Sequence, residues 1–531
     1  MADAPGELEP VSAFGPFDAL AERAHQFYLD GFSERAVLAC REGLLLCGLA
    51  GDERTARYLQ FVCGIALHQL GRHSEASVEA GHLLRRLERS GDPLWRAKAL
   101  ALLAETRVDL GLTTLAMDHL AEGRMLVAAA TTGGYNRLGA TMAVALALRA
   151  LVLFEPADEL MGRAVAETGF GPRIQLTTVQ ESAVLRLSWA AMLELVGRPE
   201  EALGHYRVAH SRALHMRRLA QEVGYPEMVA RAGAIEGYAL QRTGDPALAE
   251  ARLREAADGF RLREVLAETH ITRIGLALAL SERGEHAAAR ELLELVSRTV
   301  QQRTHVDVWA STALVATAAA AVREHGEHPV GPPLESLARA ALGRLWADRE
   351  SRFEALQDRV RVREMAEQNE RAGRAALADP LTGLGNRRLL QQLLERPDLR
   401  FSAIFVDVDR FGAVNDDHTR QVGDAVLRRV GALLGARCGP ADAAIRYGGD
   451  EFALLLAAED ADAPRVAAEV LAAVRAEPWE ALATGLRVTL SVGVAGRAPA
   501  AEALTRADGA CAEAKRAGRD RVLVAGERGT E

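Results

Sequence analysis

A chain of 531 residues is too long for one ordinary core. With 49% hydrophobic and 26% charged residues it lies well outside the disordered regime, so roughly two to four domains, or a repeat array plus a compact domain, are expected. A formal net charge of −9 argues against a broad nucleic-acid-binding surface, which needs clustered Lys and Arg. The five cysteines (Cys40, Cys47, Cys63, Cys438 and Cys511) are odd in number and sit at no metal-ligand spacing, which reads as reduced thiols rather than a disulfide framework or zinc finger.

The first segment, MADAPGELEP, is acidic where a secretory signal would be basic and then apolar; residues 1–15 are expected to be disordered and secretion is not expected. A Gly-x4-Ala pair then recurs at Gly31/Ala36, Gly71/Ala76, Gly111/Ala116, Gly197/Ala202, Gly244/Ala249 and Gly284/Ala289, with several spacings of 40 residues. Val152 with Ala157 fills the one gap of two periods. Gly suits a left-handed turn ending the first helix of a pair, and the small Ala lets the second helix pack closely, so each unit predicts a helical hairpin. The phased pattern is similar to tetratricopeptide repeats. That resemblance implies an all-α solenoid over residues 16–333 whose concave face takes a protein or peptide partner; a solenoid serving mainly as a dimerisation scaffold is the competing reading. The most apolar run, Val308 to Val322, falls short of the roughly 18 residues of a membrane span and reads as a buried helix, so no membrane contact and a cytoplasmic location are expected.

Residues 334–378 predict one continuous connecting helix, highly charged towards its end. Trp346, Phe353, Leu356 and Val360 approximate a heptad seam. Two readings stand: a solvated connector, or a short parallel coiled coil that transmits the state of the array.

From Asp379 onward, Val-, Ile- and Leu-rich runs alternate with amphipathic segments, which predicts a compact α+β domain over 379–526 and a disordered tail over 527–531. Two acidic clusters stand out. Asp407 and Asp409 end the first strand on one face, while Asp450 and Glu451 follow Gly448 and Gly449 in a hairpin turn. Brought together, they would offer hard oxygen ligands of the kind a Mg²⁺ site for phosphoryl transfer needs.

The run Asp379-Pro380-Leu381-Thr382-Gly383-Leu384-Gly385-Asn386-Arg387, then Asp407-Val408-Asp409, Asn415-Asp416, Gly423-Asp424 and Arg446-Tyr447-Gly448-Gly449-Asp450-Glu451-Phe452, resembles the ordered signatures of GGDEF diguanylate cyclases. The resemblance implies a ferredoxin-like palm of the nucleotidyl cyclase type that joins two GTP into cyclic di-GMP, as a homodimer with one GTP per domain. It implies Mg²⁺ or Mn²⁺ held by Asp407, the Val408 carbonyl and Asp450. Asp450 would be the catalytic base, with Glu451 beside it in the signature. Asn415 and Asp424 match guanine-binding positions, and backbone amides at Arg410 and Phe411 match phosphate contacts. Lys515 and Arg519 match the polyphosphate cations, and their i, i+4 spacing would put both on one helix face.

Four positions depart from the family pattern. Gly412 stands where Lys is usual, Thr419-Arg420 where Gly-His is usual, and Gly439 replaces the Arg of the Arg-x-x-Asp product-inhibition motif, whose Asp is Asp442. Besides an active cyclase, two further readings are open: a catalytically weak GGDEF domain acting as a nucleotide-binding regulator, and a repeat scaffold with incidental activity.

Overall fold

The computed structural model describes residues 16–88, 91–131, 134–167, 169–259, 266–300, 307–396, 398–457 and 462–526, so the expected disordered ends, 1–15 and 527–531, lie outside the described residues. The chain divides into two compact units, Met1–Glu364 and Met365–Glu531.

The first unit is built from helical hairpins: α1 (Pro16–Leu29) with α2 (Ser33–Ala50), α3 (Glu53–Gln69) with α4 (His73–Leu87), α5 (Pro93–Asp109) with α6 (Thr113–Ala129), α7 (Tyr135–Ala150) with α8 (Phe154–Ala166), α9 (Pro172–Leu195) with α10 (Pro199–Val223), α11 (Pro226–Thr243) with α12 (Pro246–Gly259), and α13 (Ala267–Glu282) with α14 (His286–Val300). Gly31, Gly71, Gly111, Gly197, Gly244 and Gly284 turn these hairpins, all with φ between +76° and +111°. In the fourth hairpin Val152 takes the same place at φ +64°. A left-handed β-branched residue costs roughly 1–3 kcal/mol, and here the Val152 side chain is buried in the core, which offsets the strain. The alanines that follow, from Ala36 to Ala289, are all buried.

The array curls back on itself. The Tyr225 hydroxyl donates to Asp30 Oδ1 at 2.9 Å, Gln26 Nε2 donates to the Tyr225 hydroxyl at 2.6 Å, and Arg231 donates to the Leu29 carbonyl, joining the first hairpin to the sixth. Inside the curl lies a cavity of about 820 Å³, partly open to solvent. The apolar run forms α15 (Val308–His325) and buries Trp309, Ala313 and Ala320; among the described residues no helix is long and apolar enough to cross a membrane.

The helix α16 (Gly331–Ala376) begins with two prolines in its first turn, where a missing N–H costs no hydrogen bond. Over its stretch inside the first unit, the seam residues are already occupied: Trp346 and Leu356 are buried in that unit's core and Phe353 and Val360 pack against it. Charged bonds flank them. Arg349 pairs with Glu155 at 3.0 Å, Arg352 Nη1 donates to the Leu151 carbonyl at 2.9 Å, Arg359 pairs with Asp118 at 2.7 Å and Arg363 with Glu122 at 3.1 Å.

The second unit contains α17 (Arg387–Leu394), β1 (Arg400–Val408), α18 (Phe411–Asp417), α19 (Arg420–Gly435), β2 (Ala443–Gly448), β3 (Glu451–Leu456), α20 (Ala463–Ala476), β4 (Leu490–Pro499), α21 (Ala500–Arg516) and β5 (Arg521–Val524). The sheet order is β2-β3-β1-β4-β5, antiparallel except for β4 with β5. Its first four strands follow a split β-α-β connectivity. Central strand β1 is buried on both faces: Ile404 and Val406 meet α19 and α20, while Phe405 meets the layer of α17 and α21. α21 crosses β4 so closely at Gly493 that a Cβ there would sit 2.0 Å from the Ala507 carbonyl oxygen and 2.2 Å from Cys511 N. This close crossing places the end of α21 over the end of β1.

Candidate functional site

The site forms where β1 ends beside the β2–β3 hairpin. Register pairs Asp407 directly with Glu451, and Val408 N donates to the Asp450 carbonyl at 3.1 Å. Gly449, at φ +52°, makes the hairpin turn that sets Asp450 next to the end of β1. Like charges directly opposite on paired strands are destabilising, so this arrangement calls for a cation. Lys515 in the last turn of α21 supplies one, with Nζ 2.5 Å from Asp407 Oδ2. Even so, burial pushes the Asp407 carboxyl above its usual range, with Asp450 and Asp409 adding to the rise against the pull of Lys515. Burial raises Glu451 as well, reinforced by Asp407 and Asp450. Burial works against the Lys515 ammonium, yet its bond to Asp407 holds it above the ordinary lysine value.

Asp409 shares the acidic cluster in sequence but has a different task. Its carboxylate accepts from Ser491 Oγ at 2.6 Å, Thr489 Oγ1 at 2.7 Å and Asp520 N at 3.0 Å, fastening β1 to β4 and to the turn before β5. These partners lie 80 and more residues away along the chain.

After β1 the chain turns at Arg410, φ +54°, into α18. Phe411 and Asn415 pack against Gly423 of α19, where a Cβ would lie 2.0 Å from Asn415 Oδ1 and 3.2 Å from Phe411 Cζ. The structure therefore brings together Phe411, Asn415 and the residue before Asp424, which is itself exposed on α19. Thr419 caps α19 by accepting from Val422 N at 3.3 Å, and Arg420 is exposed.

Arg519 is not on the helix with Lys515. α21 ends at Arg516, Gly518 follows at φ +114°, and Arg519 takes φ +63° with its N–H on the Ala514 carbonyl, a glycine-terminated helix end that breaks the i, i+4 relation. Arg446 acts on the backbone of the hairpin: Nη2 donates to the Gly449 carbonyl at 2.7 Å, and Nη1 meets Asp379 Oδ1 at 3.2 Å. Asp379 also accepts from Thr382 N and Oγ1, so the Asp379–Arg387 run is a staple between the loop and β2. Gly448 is exposed and Phe452 is wholly buried opposite Val406. In the loop before β2, Asp442 accepts from Gly439 N and Ala457 N, both at 2.8 Å, and Arg437 lies 3.8 Å from Glu469.

The donor set at the end of β1 consists of carboxylate and carbonyl oxygens with no sulfur or imidazole among them. Asp407 and Glu451 are both raised, first by burial and then by neighbouring acids, Asp450 among them in each case. Hard ligands under charge strain fit a Mg²⁺-type ion. Fold and site together define an α+β domain with an acidic cluster at a sheet hairpin, flanked by a lysine. Residues 376–521 match the family model described as "Diguanylate cyclase, GGDEF domain", so the chain carries a GGDEF domain. It is 39% identical over 161 residues to the diguanylate cyclase DgcP of Pseudomonas aeruginosa, covering 28% of this chain and 24% of that one. It is 37% identical over 163 residues to the response regulator PleD of Caulobacter vibrioides, covering 28% and 36%. A solved structure of the coiled coil and GGDEF domain of DgcB from Caulobacter crescentus, in complex with c-di-GMP, matches at 29% identity and a TM-score of 0.29, over 34% of this chain and 100% of that one. The chain thus spans well under half the length of these two curated relatives.

Proposed function

We propose that this chain is a diguanylate cyclase that condenses two GTP into cyclic di-GMP and two pyrophosphates. The observation that carries the reading is the facing pair Asp407 and Glu451, with Asp450 beside it and Lys515 bound to it. Asp407, the Val408 carbonyl and Asp450 would hold Mg²⁺ or Mn²⁺, which when bound neutralises charge on the reacting phosphates. Asp450, with Glu451 next to it, takes the proton of a 3′-hydroxyl as that oxygen attacks the α-phosphate of the other GTP, and pyrophosphate leaves. Lys515 and Arg519 pair with the polyphosphate, and the Arg410 and Phe411 amides donate to it. Asn415 and Asp424 read guanine: a carboxylate accepts from the N1 and N2 donors that adenine lacks in that pattern.

Each domain binds one of the two GTP molecules, so turnover requires a homodimer. The organisation is a helical-repeat input region over 16–333, a connecting helix over 334–378 and the GGDEF domain over 379–526. A protein or peptide bound by the array acts through α16, whose apolar seam lies on the same unit.

The test is substitution of the cation ligands. Asp407→Ala and Asp450→Ala should each abolish product while leaving the fold intact, since both sit at a polar strand end. Turnover within a few-fold of wild type in either variant would refute the assignment.

A further inference from the structure

We propose that His68, His73 and Asp109 form a binding site for a divalent transition-metal ion of the zinc type, bridging the second and third hairpins of the repeat array. His68 stands near the end of α3 and His73 begins α4, one on each side of the Gly71 turn, while Asp109 is the last residue of α5 in the next hairpin. The three ligand atoms lie within 4.8 Å of one another. Both imidazoles converge on one oxygen: His68 Nε2 is 2.7 Å and His73 Nδ1 is 3.3 Å from Asp109 Oδ2.

A tetrahedral ion with ligands at roughly 2.0–2.1 Å sets them about 3.3 Å apart. The His73 pair already has that separation, and the His68 pair needs to open by only about 0.6 Å. Two imidazoles and one carboxylate suit zinc, cobalt or nickel rather than magnesium or calcium.

A second feature points to the same place. Glu105, one turn before Asp109 on α5, lines the cavity along with His68 and Asp109. Among the described residues it has no salt-bridge partner; burial pushes its carboxyl up against the pull of His68 and Arg149, with Asp109 and Glu181 adding to the rise. His68 and Asp109 thus lie at the wall of the cavity with Glu105 beside them, and the remaining coordination positions of a bound ion would open into it. Such an ion would lock two neighbouring hairpins together.

The experiment uses the full chain carrying Asp450→Ala, which disables the carboxylate site of the GGDEF domain, stripped with chelator and titrated with Zn²⁺ alone and Co²⁺ alone. One tight equivalent with imidazole ligands by X-ray absorption, and a raised melting temperature, is the expected result. His68→Gln and Asp109→Asn should each weaken the affinity at least about 100-fold and remove the thermal shift. Unchanged affinity in both variants, or an oxygen-only ligand shell, would overturn the proposal. Should either variant fail to fold, the ligand shell of the parent chain alone decides.

Discussion

Replacing Glu451 with Gln should make the metal-free protein more stable at neutral pH while weakening its hold on the divalent ion. Glu451 faces Asp407 across the β1–β3 ladder, and both carboxyls are raised above their usual range, first by burial and then by neighbouring acids. An acid raised by folding favours the protonated native state. Its stabilising contribution is whole below the ordinary carboxylate values of about 4 and is lost as pH rises through the folded-state value. At pH 7.5 the facing pair is therefore a cost, of the order of 0.5–1 kcal/mol for like charges directly opposite. Removing it should raise the melting temperature of this unit by about 2 °C in chelator, and the gap should close as pH falls to about 4. Saturating Mg²⁺ should reverse the ranking, because an ion at 100 times its dissociation constant adds about 2.7 kcal/mol to wild type and less to the variant. Thermal melts of both proteins in chelator and in Mg²⁺, at both pH values, test this. A lower melting temperature for Glu451→Gln in chelator at neutral pH, or a gap that persists at pH 4, would refute the reasoning.

Gly493→Ala should destabilise the second unit by about 3 kcal/mol or more, because the new Cβ meets the Ala507 and Cys511 backbone and neither can yield; urea unfolding measures it. Gly423→Ala should displace the Asn415 amide and raise the KM for GTP about tenfold with little change in melting temperature, the loss of roughly one neutral hydrogen bond. Added cyclic di-GMP should inhibit wild type weakly, since Gly439 offers no guanidinium, Asp442 is already bonded to the loop and Arg437 sits beside Glu469. Inhibition should strengthen in Gly439→Arg, and micromolar inhibition of wild type that vanishes in Arg437→Ala would contradict this.

The hairpin turns of the array were readable residue by residue, even where Val152 replaces glycine, because a left-handed turn and a buried alanine are local demands. The acidic cluster was readable too, since strand alternation and a Gly-Gly turn are short-range rules. What escaped depends on distant partners. Asp409 shared a strand face with Asp407 in the sequence, but its partners Thr489 and Ser491 lie far along the chain and its fastening role was not legible. The seam of α16 left a solvated connector and a coiled coil both open; Trp346 and Leu356 are in fact buried among the chain's own hairpins. Gly518 ended α21 before Arg519 could join Lys515. The cavity and the group at His68, His73 and Asp109 arise only when successive hairpins stack, so no spacing in the sequence announced them.

The most direct measurement is to incubate the purified full chain with GTP and Mg²⁺, and in parallel with ATP, and identify the products by chromatography and mass. The account predicts cyclic di-GMP with two pyrophosphates per product, specific activity that rises with protein concentration through the dimer range, and ATP left intact. A folded protein that binds GTP yet forms no cyclic di-GMP at any concentration would contradict it.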